Sequence, residues 1–215
     1  MSDKVNKYEG KDADVVWDGR LCIHIGECGR ASGELFVGGR KPWCQPDLVA
    51  LGEVTDVVER CPTGALSYEP KDGGATEVAD SQNTVTVVYN GPLYVRGDLA
   101  IDGAEDDMPG VKYRAALCRC GASKNKPFCD NSHEEAGFRD YGAVGQASEN
   151  DDSGGTLTVK RAKNGPLLLS GNFEIRAASG RVAWRGTKAA LCRCGQSKNK
   201  PFCDGAHAKA GFEAD

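Results

Sequence analysis

The chain has 215 residues, 40% of them apolar, with a net charge of −4 and ten cysteines. That length holds one large domain or two to three small ones. Its near-balanced charge and apolar content argue against a basic nucleic-acid-binding surface and against intrinsic disorder.

The N-terminus reads MSDKVNKYEG, with no apolar signal region, and no apolar run is long enough to cross a bilayer. A soluble cytoplasmic protein with no membrane or nucleic-acid partner is therefore expected. In that compartment thiols stay reduced, so ten cysteines point to metal or redox chemistry rather than disulfides. In the first third, Pro46-Asp47 opens a helical stretch in which Val54, Val57, Val58 and Cys61 fall on one face. Cys61-Pro62 ends it, because proline biases the preceding residue away from helical geometry. Residues 69–83 (EPKDGGATEVADSQN) read as a polar surface linker.

The chain then repeats itself. The pattern from Asn90 to Phe138 returns 74 residues later, from Asn164 to Phe212. Shared pieces include Asn-Gly-Pro-Leu, Ala-Ala-Leu-Cys-Arg-Cys-Gly and Ser-Lys-Asn-Lys-Pro-Phe-Cys-Asp. Each copy opens with a β-branched run (84–89; 156–161), an Asn-Gly-Pro turn and a second apolar run (93–95; 167–169). This is a hairpin signal. The cysteines follow in loop sequence, and residues 141–155 form a second Gly-rich linker. A unit of this size cannot rest on an apolar core alone, and two copies are too few for a solenoid. A paired, pseudo-two-fold arrangement is expected.

Each repeat carries C-x-C-x8-C-x3-H: Cys118, Cys120, Cys129 and His133, then Cys192, Cys194, Cys203 and His207. Four soft or borderline ligands at one spacing, used twice, mark a metal site. Zinc accepts three Cys and one His, although its finger spacing separates paired cysteines by about two to four residues. The tighter gap here can place two thiolates on one iron and leave the third Cys and the His for a second. Spacing alone leaves zinc and a binuclear iron cluster both open.

The stretches Cys118-Arg-Cys120…Pro127-Phe-Cys129-Asp130-Asn131-Ser132-His133 and Cys192-Arg-Cys194…Pro201-Phe-Cys203-Asp204-Gly205-Ala206-His207 resemble the CDGSH iron–sulfur domain family, which includes the NEET proteins. The resemblance implies a [2Fe-2S] cluster on three Cys and one His in each copy. It also implies pairing of the two domains through swapped strands. The first copy departs from the motif with Asn131 in place of Gly. Asn tolerates left-handed backbone geometry best among non-glycine residues, so a turn is expected there. Arg119, Arg193, Lys124, Lys126, Lys198 and Lys200 crowd the loops, either tuning a cluster or docking an acidic partner, or simply solvated.

The other cysteines are Cys22, Cys28, Cys44 and Cys61. The five-residue gap from Cys22 to Cys28 equals that between the outer cysteines of a ferredoxin C-x2-C-x2-C run, with Ile25 in the middle position and unable to ligate. Cys61-Pro62 matches the Cys-Pro ending of such runs. Residues 15–68 resemble the divergent single-cluster ferredoxin family, which implies a [3Fe-4S] or [4Fe-4S] cluster on Cys22, Cys28 and Cys61. Cys44 is a candidate fourth ligand, and His24 a weaker one.

The expected fold is α+β: a ferredoxin-like domain (1–75) ahead of two β-rich CDGSH domains (76–145 and 146–215) paired as an intramolecular pseudo-dimer. The internal partner removes the usual need for a homodimer, so a monomer is expected. Two functions compete: single-electron transfer to a redox partner protein, and cluster storage, delivery to an apo-acceptor, or redox and pH sensing. A zinc-stabilised scaffold is a lesser alternative. No P-loop, dinucleotide fingerprint, nucleophile elbow or H-E-x-x-H motif is present, so no enzymatic activity is expected.

Overall fold

The computed structural model describes residues 5–145 and 153–215. Strands β1 (Val5–Tyr8), β2 (Ala13–Asp18) and β3 (Leu66–Pro70) form an antiparallel sheet with β2 in the centre. Between β2 and β3 the chain makes a short helix α1 (Glu27–Arg30), a 3-10 turn at Pro46–Leu48 and helix α2 (Leu51–Glu59). Val54, Val57 and Val58 are buried on one face of α2, against Val15, Leu35, Phe36 and Leu66. The helical stretch is not continuous from Pro46, because Val49 is extended and α2 starts only after it.

The remainder builds one seven-stranded sheet. The first repeat supplies β4 (Thr84–Val87), β5 (Leu93–Arg96), β6 (Leu99–Ile101), β7 (Arg114–Leu117) and helix α3 (Ser132–Glu135). The second supplies β8 (Leu157–Arg161), β9 (Leu167–Arg176), β10 (Val182–Leu191) and helix α4 (Ala206–Lys209). The strand order is β6-β8-β9-β4-β5-β7, with β10 also paired to β9. Both expected hairpins are present, β4 with β5 and β8 with β9. Beyond each hairpin the second strand crosses to the other copy: β6 lies parallel to β8, and residues 174–176 of β9 lie parallel to β4.

A glycine stands at each crossing. Gly97 has φ 142° and Gly171 φ 123°, and a Cβ there would fall 2.0 Å from Asn83 Oδ1 and 2.4 Å from the Thr156 carbonyl, respectively. Only glycine fits so close a backbone approach at that angle. Val85, Val87, Leu93, Leu117, Leu157, Leu167 and Leu191 form a shared core between the copies. Asn83 seals the seam, its amide donating to the carbonyls of Gly155 and Asn172 at 2.8 Å.

Two readings of the linkers need correction. Within 69–83 most residues are exposed, as a surface linker requires, but Glu77 is buried against Arg114 and pins the segment to the fold. In the second linker Val144 belongs to the core, while residues 146–152 lie outside the described residues.

Candidate metal centres

Each repeated site begins where a core strand ends. β7 delivers Cys118 directly after buried Leu117, and β10 delivers Cys192 directly after buried Leu191. The loop then returns alongside the strand. The Cys118 N–H donates to the Pro127 carbonyl and the Cys129 N–H to that of Ala116, each at 2.8 Å, and the second copy repeats this between Cys192 and Pro201 and between Cys203 and Ala190. Asp130 organises the turn by accepting the N–H groups of Lys124 and Ser132, as Asp204 accepts those of Lys198 and Ala206. Asn131 (φ 69°) and Gly205 (φ 83°) both sit in the left-handed region and open the short helices that carry His133 and His207. The expected turn at Asn131 is therefore present.

The candidate ligands come as pairs. Cys118 and Cys120 Sγ are 3.8 Å apart, and Cys192 and Cys194 Sγ 3.7 Å. Two sulfurs bound at about 2.3 Å to one tetrahedral metal are separated by about 3.8 Å, so each pair fits one metal atom. The other pair in each copy joins Cys129 or Cys203 Sγ to Nδ1 of His133 or His207, at 3.4 Å. Among the described residues no three His, Cys, Asp or Glu side chains converge on one ion.

Backbone N–H groups of Ala122, Asn131, Gln196 and Gly205 point at Sγ of Cys120, Cys129, Cys194 and Cys203, ready to stabilise thiolates. The hydrogen bond between the Cys118 and Cys120 thiols holds Cys118 protonated and lowers Cys120. Burial pushes Cys129 up to about 12, raises Cys192 and lowers His133.

The loop arginines are neither solvated nor open to a partner. Arg119 is buried, donating to the carbonyls of Gly91 and Val88, pairing with Asp140 and stacking on Phe138. Arg193 binds the carbonyls of Gly165 and Ala162 in the same way and stacks on Phe212. Each guanidinium thus braces the Asn-Gly-Pro turn of its own hairpin against the cysteine loop. This structural role was not legible from the charge pattern.

The N-terminal site is a cavity of about 440 Å3. Cys22, Cys28 and Cys61 all line it, with walls that include Tyr8, Trp17, Trp43 and Leu66. Burial raises the Cys28 thiol. Exposed His24 also lines the cavity, its Nδ1 4.0 Å from Cys22 Sγ. Cys44, a candidate fourth ligand, does not line it. It is fully buried in the apolar cluster with Val15, Leu35 and Phe36, where its thiol is pushed up to about 12. The donor chemistry otherwise suits iron and sulfide: three thiols on a largely apolar wall, and in each repeat three thiols with one imidazole.

Comparison with known proteins finds metal-binding modules over the same regions. The family model described as "Iron-binding zinc finger CDGSH type" matches residues 90–134 and again 164–208. The model described as "Divergent 4Fe-4S mono-cluster" matches residues 8–71. The chain carries tandem CDGSH iron-binding domains. A divergent ferredoxin-like module stands ahead of the two. Both are metal-binding modules rather than catalytic ones. The uncharacterized protein YjdI of Escherichia coli K12 is 44% identical over 64 residues, covering 30% of this CDGSH chain and 84% of YjdI. YjdI of E. coli O157:H7 matches to the same extent. No solved structure matches. Among the described residues, no helix is long and apolar enough to cross a membrane.

Proposed function

We propose that this protein carries three iron–sulfur clusters and passes single electrons to a redox partner protein in the cytoplasm. Cys118, Cys120, Cys129 and His133 hold one [2Fe-2S] cluster, and Cys192, Cys194, Cys203 and His207 a second. Cys22, Cys28 and Cys61 hold a [3Fe-4S] or [4Fe-4S] cluster, and Cys44 serves packing. When bound, the clusters supply one-electron redox chemistry; the protein positions, shields and tunes them.

The observation that carries the reading is the division of each repeat's candidate ligands into a dithiol pair, with sulfurs 3.7 to 3.8 Å apart, and a Cys–His pair at 3.4 Å. A mononuclear zinc site needs all four around one atom, whereas a binuclear cluster takes two on each iron. The units are a ferredoxin-like domain (1–75) and two CDGSH domains (76–145, 146–215). The reciprocal strand crossing at Gly97 and Gly171 supports an intramolecular pseudo-dimer that works as a monomer.

A second reading, cluster delivery to an apo-acceptor protein, draws support from the second copy. Its Asp204 and Gly205 are exposed and its Cys203 is less buried than Cys129. One preparation tests both. Protein purified without oxygen is expected to hold about 7 or 8 irons with matching sulfide, and to keep them through repeated reduction and oxidation. About 4 irons would restrict loading to the repeats. Iron moving to an apo-acceptor would favour delivery, and stoichiometric zinc without sulfide would overturn both.

A further inference from the structure

Among the described residues, the N-terminal cysteine loop is hydrogen-bonded by side chains of the first repeat and by none of the second. Asn131 Nδ2 donates to the Ile23 carbonyl at 2.7 Å, and Asn125 Nδ2 to the Arg20 carbonyl at 2.8 Å. Ile23, the residue after Cys22, is buried against Ala116 and Cys129, with Tyr94 packed on the group. A side chain adjoining one candidate ligand thus touches another across the boundary. In the second repeat the corresponding positions, Asn199 and Gly205, are exposed. Gly205 has no side chain with which to reach a neighbour.

The two repeats in turn meet at their cysteine loops. A Cβ on Gly121 would fall 2.7 Å from the Cys194 carbonyl, and one on Gly195 2.5 Å from that of Cys120. The contacts run in one order: N-terminal site, first repeat, second repeat.

We propose that Asn131 is a positioning residue that clamps the Cys22 loop onto the first repeat, making that repeat the inner relay for electrons and the second the outlet to an external partner. The inference rests on the electron-carrier reading. With clusters bound at both sites, one electron from a low-potential one-electron donor would pass from the N-terminal cluster, oxidised by one, to the first-repeat cluster, reduced by one. No atom or proton moves between them. The departure from the motif glycine then has a cause. Asparagine keeps the left-handed turn and adds a donor that glycine lacks.

The test uses the intact, iron-loaded chain with Asn131→Gly and Asn131→Asp. Glycine keeps the turn without the donor; aspartate keeps the size, but an ionised carboxylate only accepts hydrogen bonds. Both variants are expected to keep their iron. Amide hydrogen exchange in residues 20–26 should rise about fivefold, the loss of one hydrogen bond. The magnetic splitting between the N-terminal and first-repeat centres in the fully reduced protein should weaken. Gly205→Asn should change neither. Wild-type exchange and splitting in both Asn131 variants, with iron retained, would overturn the proposal. Iron lost from the wild type on redox cycling would sink the carrier reading and the relay order with it, leaving exchange to decide whether Asn131 holds the loop.

Discussion

A coordinating imidazole has to be neutral, so in the proposed clusters protons would compete with metal for His133 and His207. Burial lowers the affinity of His133 for that proton. The sign follows: with the folded value depressed, the unfolded chain takes up the proton first, and stability falls as pH drops below the ordinary imidazole value of about 6.5. Visible absorbance from the clusters is therefore expected to fade as pH is stepped from about 7.5 to 5. His133→Cys should remove the acid-labile step of the first repeat, because thiolate ligation does not titrate in that window once metal is bound. Faster loss of colour in the variant would contradict this. Replacing thiolate with imidazole also raises the reduction potential, so the proposed one-histidine clusters are expected between all-cysteine clusters, at about −400 mV, and two-histidine centres, at about −150 to +300 mV, which redox titration checks. The neighbouring arginines act mechanically. Arg119 and Arg193 each donate to two carbonyls of their hairpin turn, a geometry that the branched guanidinium suits and an ammonium does not.

The short turn before each histidine shows how an element places a ligand. Asp130 and Asp204 each accept two backbone N–H groups, and the next residue swings into the left-handed region so that a four-residue helix can start. Asn131→Val is expected to lose iron from the first repeat, since a β-branched residue held at φ 69° is strained by about 1–3 kcal/mol. Asn131→Gly should keep that iron. Equal iron in the two variants would refute the need for the turn. The strand crossings at Gly97 and Gly171 work at the same level. They send the second strand of each copy onto its neighbour, so neither repeat completes its sheet alone.

At the scale of the whole molecule, one buried side chain joins the N-terminal unit to the repeats. Arg114 on β7 donates to the carbonyls of Val58, Cys61 and Leu66 and pairs with Glu77 at 2.6 Å. It thereby links the end of α2, a cysteine of the N-terminal cavity and the segment before β4 to the strand that leads into Cys118. Arg114→Met is expected to weaken this junction by about 3–5 kcal/mol, the usual cost of breaking a buried ion pair from one side. Limited proteolysis within residues 71–83 should quicken accordingly. Burial already raises the Glu77 carboxyl, so Arg114→Met with Glu77→Gln should recover part of the loss. Cleavage at the wild-type rate in Arg114→Met would show that the junction does not depend on the pair.

The two CDGSH motifs, the ferredoxin-like module, the duplication and both hairpins were legible in the sequence, because a metal-binding motif needs particular residues at short separations and a hairpin is a local structure. The αL turn at Asn131 was legible for the same reason. Other features come from residues far apart in the chain. Cys44 reads as a ligand candidate in sequence, and the structure buries it fully in the apolar cluster, outside the cavity lining, a position that nothing within a few residues of it reveals. The charge pattern of the loops did not reveal that Arg119 and Arg193 are buried, because the turn carbonyls that hold them lie 28 to 31 residues upstream. Nor did composition reveal the burial of Glu77 or the reach of Asn131 to Ile23, which is 108 residues away. Local chemistry wrote the metal-binding motifs into the sequence. Which of them meet, and in what order, only the tertiary structure decided, because those contacts form when distant segments close on one core.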